Sequence, residues 1–140
     1  MQSLKARRLP VDPGPSGWYE ILPPPGAART LEEAIQADWL VIGAGFAGLA
    51  AARRLHQLRP DDRVVVLEAS RVGKGPAGRN SGFMVDLPHD LDSDSYAGLA
   101  EEDRKQIRLN RAAIDFAREA AQEYGFEGTA FQLRGKHNAA

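Results

Sequence analysis

The segment Gly43-Ala44-Gly45-Phe46-Ala47-Gly48 sets three glycines at G-x-G-x-x-G spacing between a strand-type run and a helix-type run. Trp39-Leu40-Val41-Ile42, just before it, is apolar without interruption, as expected of a strand covered on both faces. Beyond it, Leu49, Ala52, Leu55 and Leu58 recur at helical spacing, and the many alanines of this run let a helix lie close to a sheet. Arg59-Pro60-Asp61-Asp62 is turn chemistry and ends that helix. Arg63-Val64-Val65-Val66-Leu67 then reads as a β-branched strand running into Glu68. The whole is one strand–helix–strand unit of about 30 residues, the length of a right-handed parallel crossover. The fold class is α/β.

A lone glycine hexamer is a weak signal. Here it follows a strand, opens a helix and lies within a single crossover, and an acidic residue, Glu68, ends the second strand 20 positions past Gly48. Together these form a dinucleotide-binding fingerprint. Gly43 permits the tight turn, Gly45 lets backbone approach a pyrophosphate, and Gly48 lets the helix pack on the strand. The amides of Phe46 and Ala47 at the helix start, aided by the helix dipole, suit anionic phosphates. Glu68 suits the adenosine ribose hydroxyls, and its charge argues against a 2′-phosphate and hence against NADP. This unit alone does not separate FAD from NAD.

The rest of the chain bounds the reading. It has 140 residues, with 18 Lys and Arg against 19 Asp and Glu, so its net charge of −1 gives no basis for nucleic-acid or membrane-surface binding. It has no cysteine, which excludes disulfides and thiolate metal sites. No signal peptide core follows Met1–Pro10, and the apolar run Trp39–Ala52 is too short to span a bilayer. The chain reads as soluble and cytoplasmic. Residues 1–37 form a proline-rich extension: Pro10, Pro13, Pro15 and Pro23-Pro24-Pro25 exclude regular helix, while Trp18, Tyr19, Ile21 and Leu22 offer anchors to a larger body. After Glu68 a loop runs to about Tyr96. Glu101–Tyr124 is an amphipathic helix, with Ile107, Ile114, Ala117, Ala121 and Tyr124 on one stripe and Arg111 paired with Asp115 on the wet side. Gly125 ends it, and Thr129–Leu133 begins another strand.

Residues 75–83, Gly-Pro-Ala-Gly-Arg-Asn-Ser-Gly-Phe, resemble a segment that follows the second strand in the D-amino-acid oxidase-like FAD-dependent oxidoreductases. That superfamily includes glycine, sarcosine and γ-glutamylputrescine oxidases. The turn at 41–49 and the strand Val65–Ala69 resemble it too. The likeness runs over roughly 18–140, with its specific core at 38–84. It implies a Rossmann-type FAD-binding βαβ unit of a glutathione-reductase-like FAD domain, incomplete here, with a following amphipathic helix. Residues 38–125 would be the N-terminal part of that domain, and 126–140 the start of a truncated substrate-domain segment.

The resemblance also implies site residues. Arg79 would lie near the pyrophosphate, and Asn80, Ser81, Gly82 and Phe83 would approach the ribityl chain and flavin ring. Gly78 would shape the loop and Ala69 would follow Glu68 beneath the adenosine. The family's Ala-Ser pair reads Pro76-Ala77 here, so a hydroxyl is missing, and either binding is weaker or Lys74 and backbone amides compensate. FAD would be held non-covalently, since none of His56, His89 and His137 matches an attachment position. Asp86, Asp90, Asp92 and Asp94 lack a calcium-loop pattern and read as a solvated loop. No catalytic residue and no metal ligand set can be assigned.

The resemblance further implies hydride transfer from a C–N bond of an amine or amino acid to FAD. Three other readings stand beside it: an NAD-dependent dehydrogenase, a non-catalytic FAD-binding subunit completed by a partner chain, and a truncated product without activity. Exposed apolar faces on the strands and on the 101–124 helix would favour the partner chain.

Overall fold

The computed structural model describes residues 8, 11, 14–87, 100–126 and 128–135. It forms two compact units, Met1–Ser81 and Gly82–Ala140. In chain order the first contains α1 (Gly17–Ile21), β1 (Trp39–Ile42), α2 (Phe46–Leu58), β2 (Val64–Leu67) and a 3₁₀ turn (Pro76–Gly78), and the second contains α3 (Ala100–Glu123). His89, Asp90, Asp92, Asp94 and His137, together with part of the expected 69–96 loop, lie outside the described residues.

β1 and β2 pair in parallel with register Trp39↔Val64 to Ile42↔Leu67, and α2 is the crossover between them. The sequence placed this unit correctly. Polar side chains pin the outer end of the strand pair. The Arg63 N–H donates to Asp38 Oδ2 at 2.7 Å, and Trp39 Nε1–H donates to Asp62 Oδ2 at 2.7 Å. The Arg59–Asp62 turn is closed by Asp62 N–H donating to the Arg59 carbonyl at 3.2 Å. Pro60 in this turn has no N–H with which to prolong α2.

One expectation fails in this unit. β1 is not covered on both faces: Leu40 is 56% and Ile42 82% exposed. The sheet has two strands among the described residues, and α2 packs against it while further strands that would flank it are absent from the described chain. Among the described residues of this unit Ala44, 1% exposed, is the buried apolar one. A second correction concerns the extension, where one turn of helix, α1, fits between Pro15 and Pro23. Ser16 caps it, its hydroxyl accepting from Tyr19 N–H and its carbonyl from Glu20 N–H.

In the second unit α3 ends in a Schellman motif. Gly125, at φ 64°, donates its N–H to the Gln122 carbonyl, and Phe126 N–H reaches back to Ala121 at 2.9 Å. The predicted stripe holds at Ile107, Ile114, Ala117 and Ala121, but Tyr124, one residue past the end of α3, is 59% exposed, its ring tilted against that of Phe126. Arg111 does not pair with Asp115. It reaches Asp86 Oδ2 at 3.0 Å, while Asp115 pairs with Arg118 at 2.7 Å, since long exposed side chains choose among neighbours of similar energy. Residues 129–133 are turn and irregular backbone rather than a strand, with no neighbouring strand among the described residues to supply a ladder. Among the described residues no helix is long and apolar enough to cross a membrane.

Candidate functional site

The candidate site lies at the end of the parallel strands, where β1 turns into α2. Gly43 donates its N–H to the Leu67 carbonyl at 2.7 Å, extending the strand pairing by one residue, and then turns the chain at φ 98°. Only glycine adopts that φ without strain. Gly45 is the N-cap of α2 in extended conformation and brings no side chain to cap it. Three residues on, a Cβ at Gly48 would fall on the Gly43 carbonyl oxygen and within 3.4 Å of Val41 Cγ1. The turn therefore closes on itself in a way that any side chain at position 48 would break.

Glu68 closes the other side. Its Oε2 accepts from the Ala44 N–H at 2.8 Å and its Oε1 from the Ser70 N–H at 3.0 Å. These backbone donors, Ala44 first, then Ser70, and Ala69 more weakly, lower its pKa against a small opposing effect of burial. Glu68 is thus an anchored carboxylate, charged at neutral pH, beside the buried Ala44 at the heart of the glycine turn. The first-turn amides of an α-helix have no partner within the helix, and a glycine N-cap supplies none. Amides with a helix dipole behind them, a Cβ-free approach at Gly45 and a carboxylate to one side fit the phosphate and ribose of a dinucleotide.

A second glycine turn stands against the first. Gly73-Lys74-Gly75-Pro76-Ala77-Gly78 repeats the G-x-G-x-x-G spacing and much of its geometry. Gly73 has φ 70°, Gly75 is an extended N-cap, and a Cβ at Gly78 would fall on the Gly73 carbonyl oxygen. Pro76 takes the first helical position, where a missing N–H costs nothing. The two turns touch: Gly73 N–H donates to the Ala44 carbonyl at 3.1 Å, and Ala77 Cβ lies 3.7 Å from where a Cβ on Gly45 would be. The family-like segment read from sequence begins at Gly75, which hid the repetition, although the spacing of Gly73, Gly75 and Gly78 displays it.

The first unit thus brings together the expected residues Gly43 to Gly48, Glu68, Ala69, Lys74, Gly78, Arg79 and Asn80. Ser81 ends that unit, while Gly82, at φ 80°, and Phe83, 84% exposed, belong to the second. Arg79 and Asn80 engage the extension: Arg79 Nη2–H donates to the Gly14 carbonyl and Trp18 Nε1–H to the Asn80 carbonyl at 2.7 Å. Lys74 lines a shallow cavity with Arg71, Tyr19 and Glu20. His56 is exposed in the last turn of α2. Among the described residues no group of three or more His, Cys, Asp or Glu is placed to hold a metal ion.

Residues 38–140 match the family model described as FAD dependent oxidoreductase (DAO). The chain belongs to this family. It is 50% identical over 56 residues to the γ-glutamylputrescine oxidoreductase of Escherichia coli strain K12, a match covering 40% of this chain and 13% of that protein. It is 36% identical over 93 residues to the probable oxidoreductase OrdL of Haemophilus influenzae, covering 65% of this chain and 21% of the relative. A phytoene dehydrogenase of Streptomyces griseus is 40% identical over 83 residues, covering 53% and 16%. The chain therefore spans about a fifth or less of the length of the curated relatives it matches. No solved structure matches it. The chain is thus part of an FAD-dependent oxidoreductase family, and its described fold is of α/β type.

Proposed function

We propose that the chain supplies the ADP- and pyrophosphate-binding part of an oxidoreductase that oxidises a C–N bond of an amine or amino acid. The observation that carries the cofactor half is the closed glycine turn with Glu68 hydrogen-bonded to its Ala44 N–H. The α2 amides bind the pyrophosphate, and Glu68 accepts from the ribose hydroxyls, with Ala69 and Ser70 shaping the backbone beneath. Arg79 adds a charge-assisted contact to the phosphates. Lys74 contributes a second cation, and Gly78 keeps the second turn closed. Asn80, Ser81, Gly82 and Phe83 face the ribityl and flavin portions, where polar donors stabilise charge on the reduced ring. When bound, FAD supplies the hydride acceptor.

Binding is non-covalent in this reading, as the chain has no cysteine and its histidines match no attachment position. The amine substrate draws on the name of the E. coli relative and on the 75–83 segment. The phytoene dehydrogenase relative carries a different substrate name, so substrate choice is assigned to residues beyond the nucleotide turns. The setting proposed is cytoplasmic, with a small-molecule substrate and neither nucleic acid nor membrane as partner. A second reading, an FAD-binding part that acts only when a partner chain completes the fold, is favoured by one observation: the open apolar face of β1 at Leu40 and Ile42. The FAD family match argues against the NAD-dependent reading.

The test is an absorption spectrum of the natively purified protein. Bands near roughly 375 and 450 nm, with FAD released on denaturation, support the reading. A colourless full-length protein that fails to take up added FAD refutes it.

A further inference from the structure

α1 is five residues long, too short to hold its shape alone. Its contacts explain why it forms. Trp18 Nε1–H donates to the Asn80 carbonyl at 2.7 Å, and the Tyr19 hydroxyl donates to the Val72 carbonyl. The Tyr19 ring lies with Cε2 3.8 Å from where a Cβ on Gly78 would be. Either side of α1, the Gly14 carbonyl accepts from Arg79 and the Gly26 carbonyl accepts from Arg71 Nη1–H at 3.0 Å. Each of these bonds joins the 14–26 arm to the 71–80 loop, which carries the second glycine turn. Ile21 and Leu22, by contrast, are exposed. The contacts are thus directional rather than a general apolar collapse.

The loop needs such support. Its own hydrogen bonds are short-range: Lys74 N–H to the Arg71 carbonyl, Gly78 N–H to Gly75 and Arg79 N–H to Pro76, each at 3.1 Å. Gly73, Gly75 and Gly78 give it wide conformational freedom when unbound. Holding Val72 and Asn80, one on each side of the turn, fixes both of its ends. The bond from Arg79 to Gly14 uses one of five guanidinium donors and so orients the group without exhausting it.

We infer that the 14–26 arm is a clasp holding the second glycine turn in binding shape, with Trp18 and Tyr19 as positioning residues for the cofactor loop. The inference rests on the FAD reading for its functional consequence. Its structural content, the ordering of 72–80 by the arm, stands independently of the cofactor.

Hydrogen exchange in the full chain tests it, comparing wild type with Trp18→Phe, Tyr19→Phe and the double variant. Both substitutions keep an aromatic ring and remove one donor. The amides of Gly73, Lys74, Gly78 and Arg79 should exchange about fivefold faster in each single variant and about thirtyfold faster in the double variant. The Gly43 amide, bonded to Leu67 between the strands, should not change. Unchanged exchange at the four loop amides overturns the clasp, and so does equal acceleration at Gly43, which would mean general loosening. Titration with FAD and with AMP gives the second readout: the double variant should weaken FAD by a similar factor and leave AMP unaffected, because AMP is met by Glu68 and the first turn. Equal weakening of both nucleotides also overturns it. A wild-type chain that takes up neither nucleotide counts against the FAD reading, and exchange at the loop amides then decides the clasp by itself.

Discussion

Gly48→Ala separates two effects of opposite sign. Alanine is the better helix former by about 1 kcal/mol, so at an ordinary helical position the change would stabilise α2. Here the new Cβ lands on the Gly43 carbonyl oxygen and 3.0 Å from its carbon. That carbonyl cannot swing away freely, because Gly43 is fixed at φ 98° and its N–H is bonded to Leu67 at 2.7 Å. Overpacking of this kind costs about 1–3 kcal/mol, and weakening the Gly43–Leu67 bond adds up to about 1 kcal/mol. After the propensity gain, a net loss of about 2 kcal/mol remains, which lowers a urea midpoint by about 1 M for a small chain. Gly45→Ala is the matched control. Its Cβ would sit in ordinary contact, 3.7 Å from Ala77 Cβ, so the loss is that of a glycine N-cap, about 1 kcal/mol or less, and the midpoint should fall by no more than about 0.5 M. The same methyl occupies the path by which a pyrophosphate reaches the backbone, so FAD uptake should fall without loss of fold. Urea titrations followed by far-UV circular dichroism give both numbers. A midpoint for Gly48→Ala at or above wild type would refute the close approach between positions 43 and 48, and with it the shape of the turn.

Two further outcomes follow from the same geometry. Glu68 has a lowered pKa in the fold, so its contribution is fully present above the usual glutamate value of about 4.3 and is lost as pH falls through the lower folded value; Glu68→Gln should flatten the acid side of the urea midpoint's pH dependence, and a variant with the wild-type slope would discount the Ala44 and Ser70 bonds. Ala77→Ser returns a hydroxyl next to the first turn and should tighten FAD about tenfold; unchanged or weaker affinity in a fluorescence titration would show that position 77 does not face the phosphates.

The strand–helix–strand unit was legible because each of its signals is local. Val64 to Val66 demand a strand, the apolar spacing from Leu49 to Leu58 demands a helix, and Pro60 divides the two. What escaped depended on partners that periodicity does not name. An apolar run such as Trp39–Ile42 looks the same whether or not other strands flank it. Thr129–Leu133 has strand composition but no neighbour among the described residues to pair with. Arg111 found Asp86 from 25 residues away in preference to the helical neighbour that spacing suggested. At the site, Glu68 and the first glycine turn were readable from spacing and charge. The hold of Trp18 and Tyr19 on the second turn was not, because each bond there joins residues more than 50 positions apart.

The span of these bonds bears on the order in which the chain assembles during synthesis. Ala44 meets Glu68 across 24 residues, and Asp38 meets Arg63 across 25. Closing loops of that size is entropically modest, and contacts of this locality form early. The arm emerges from the ribosome before the strand–helix–strand unit, yet its partners, Val72, Arg79 and Asn80, emerge after that unit is complete. The first glycine turn and its carboxylate therefore form while the arm still waits, and a segment made before them is the last of this unit to find its place.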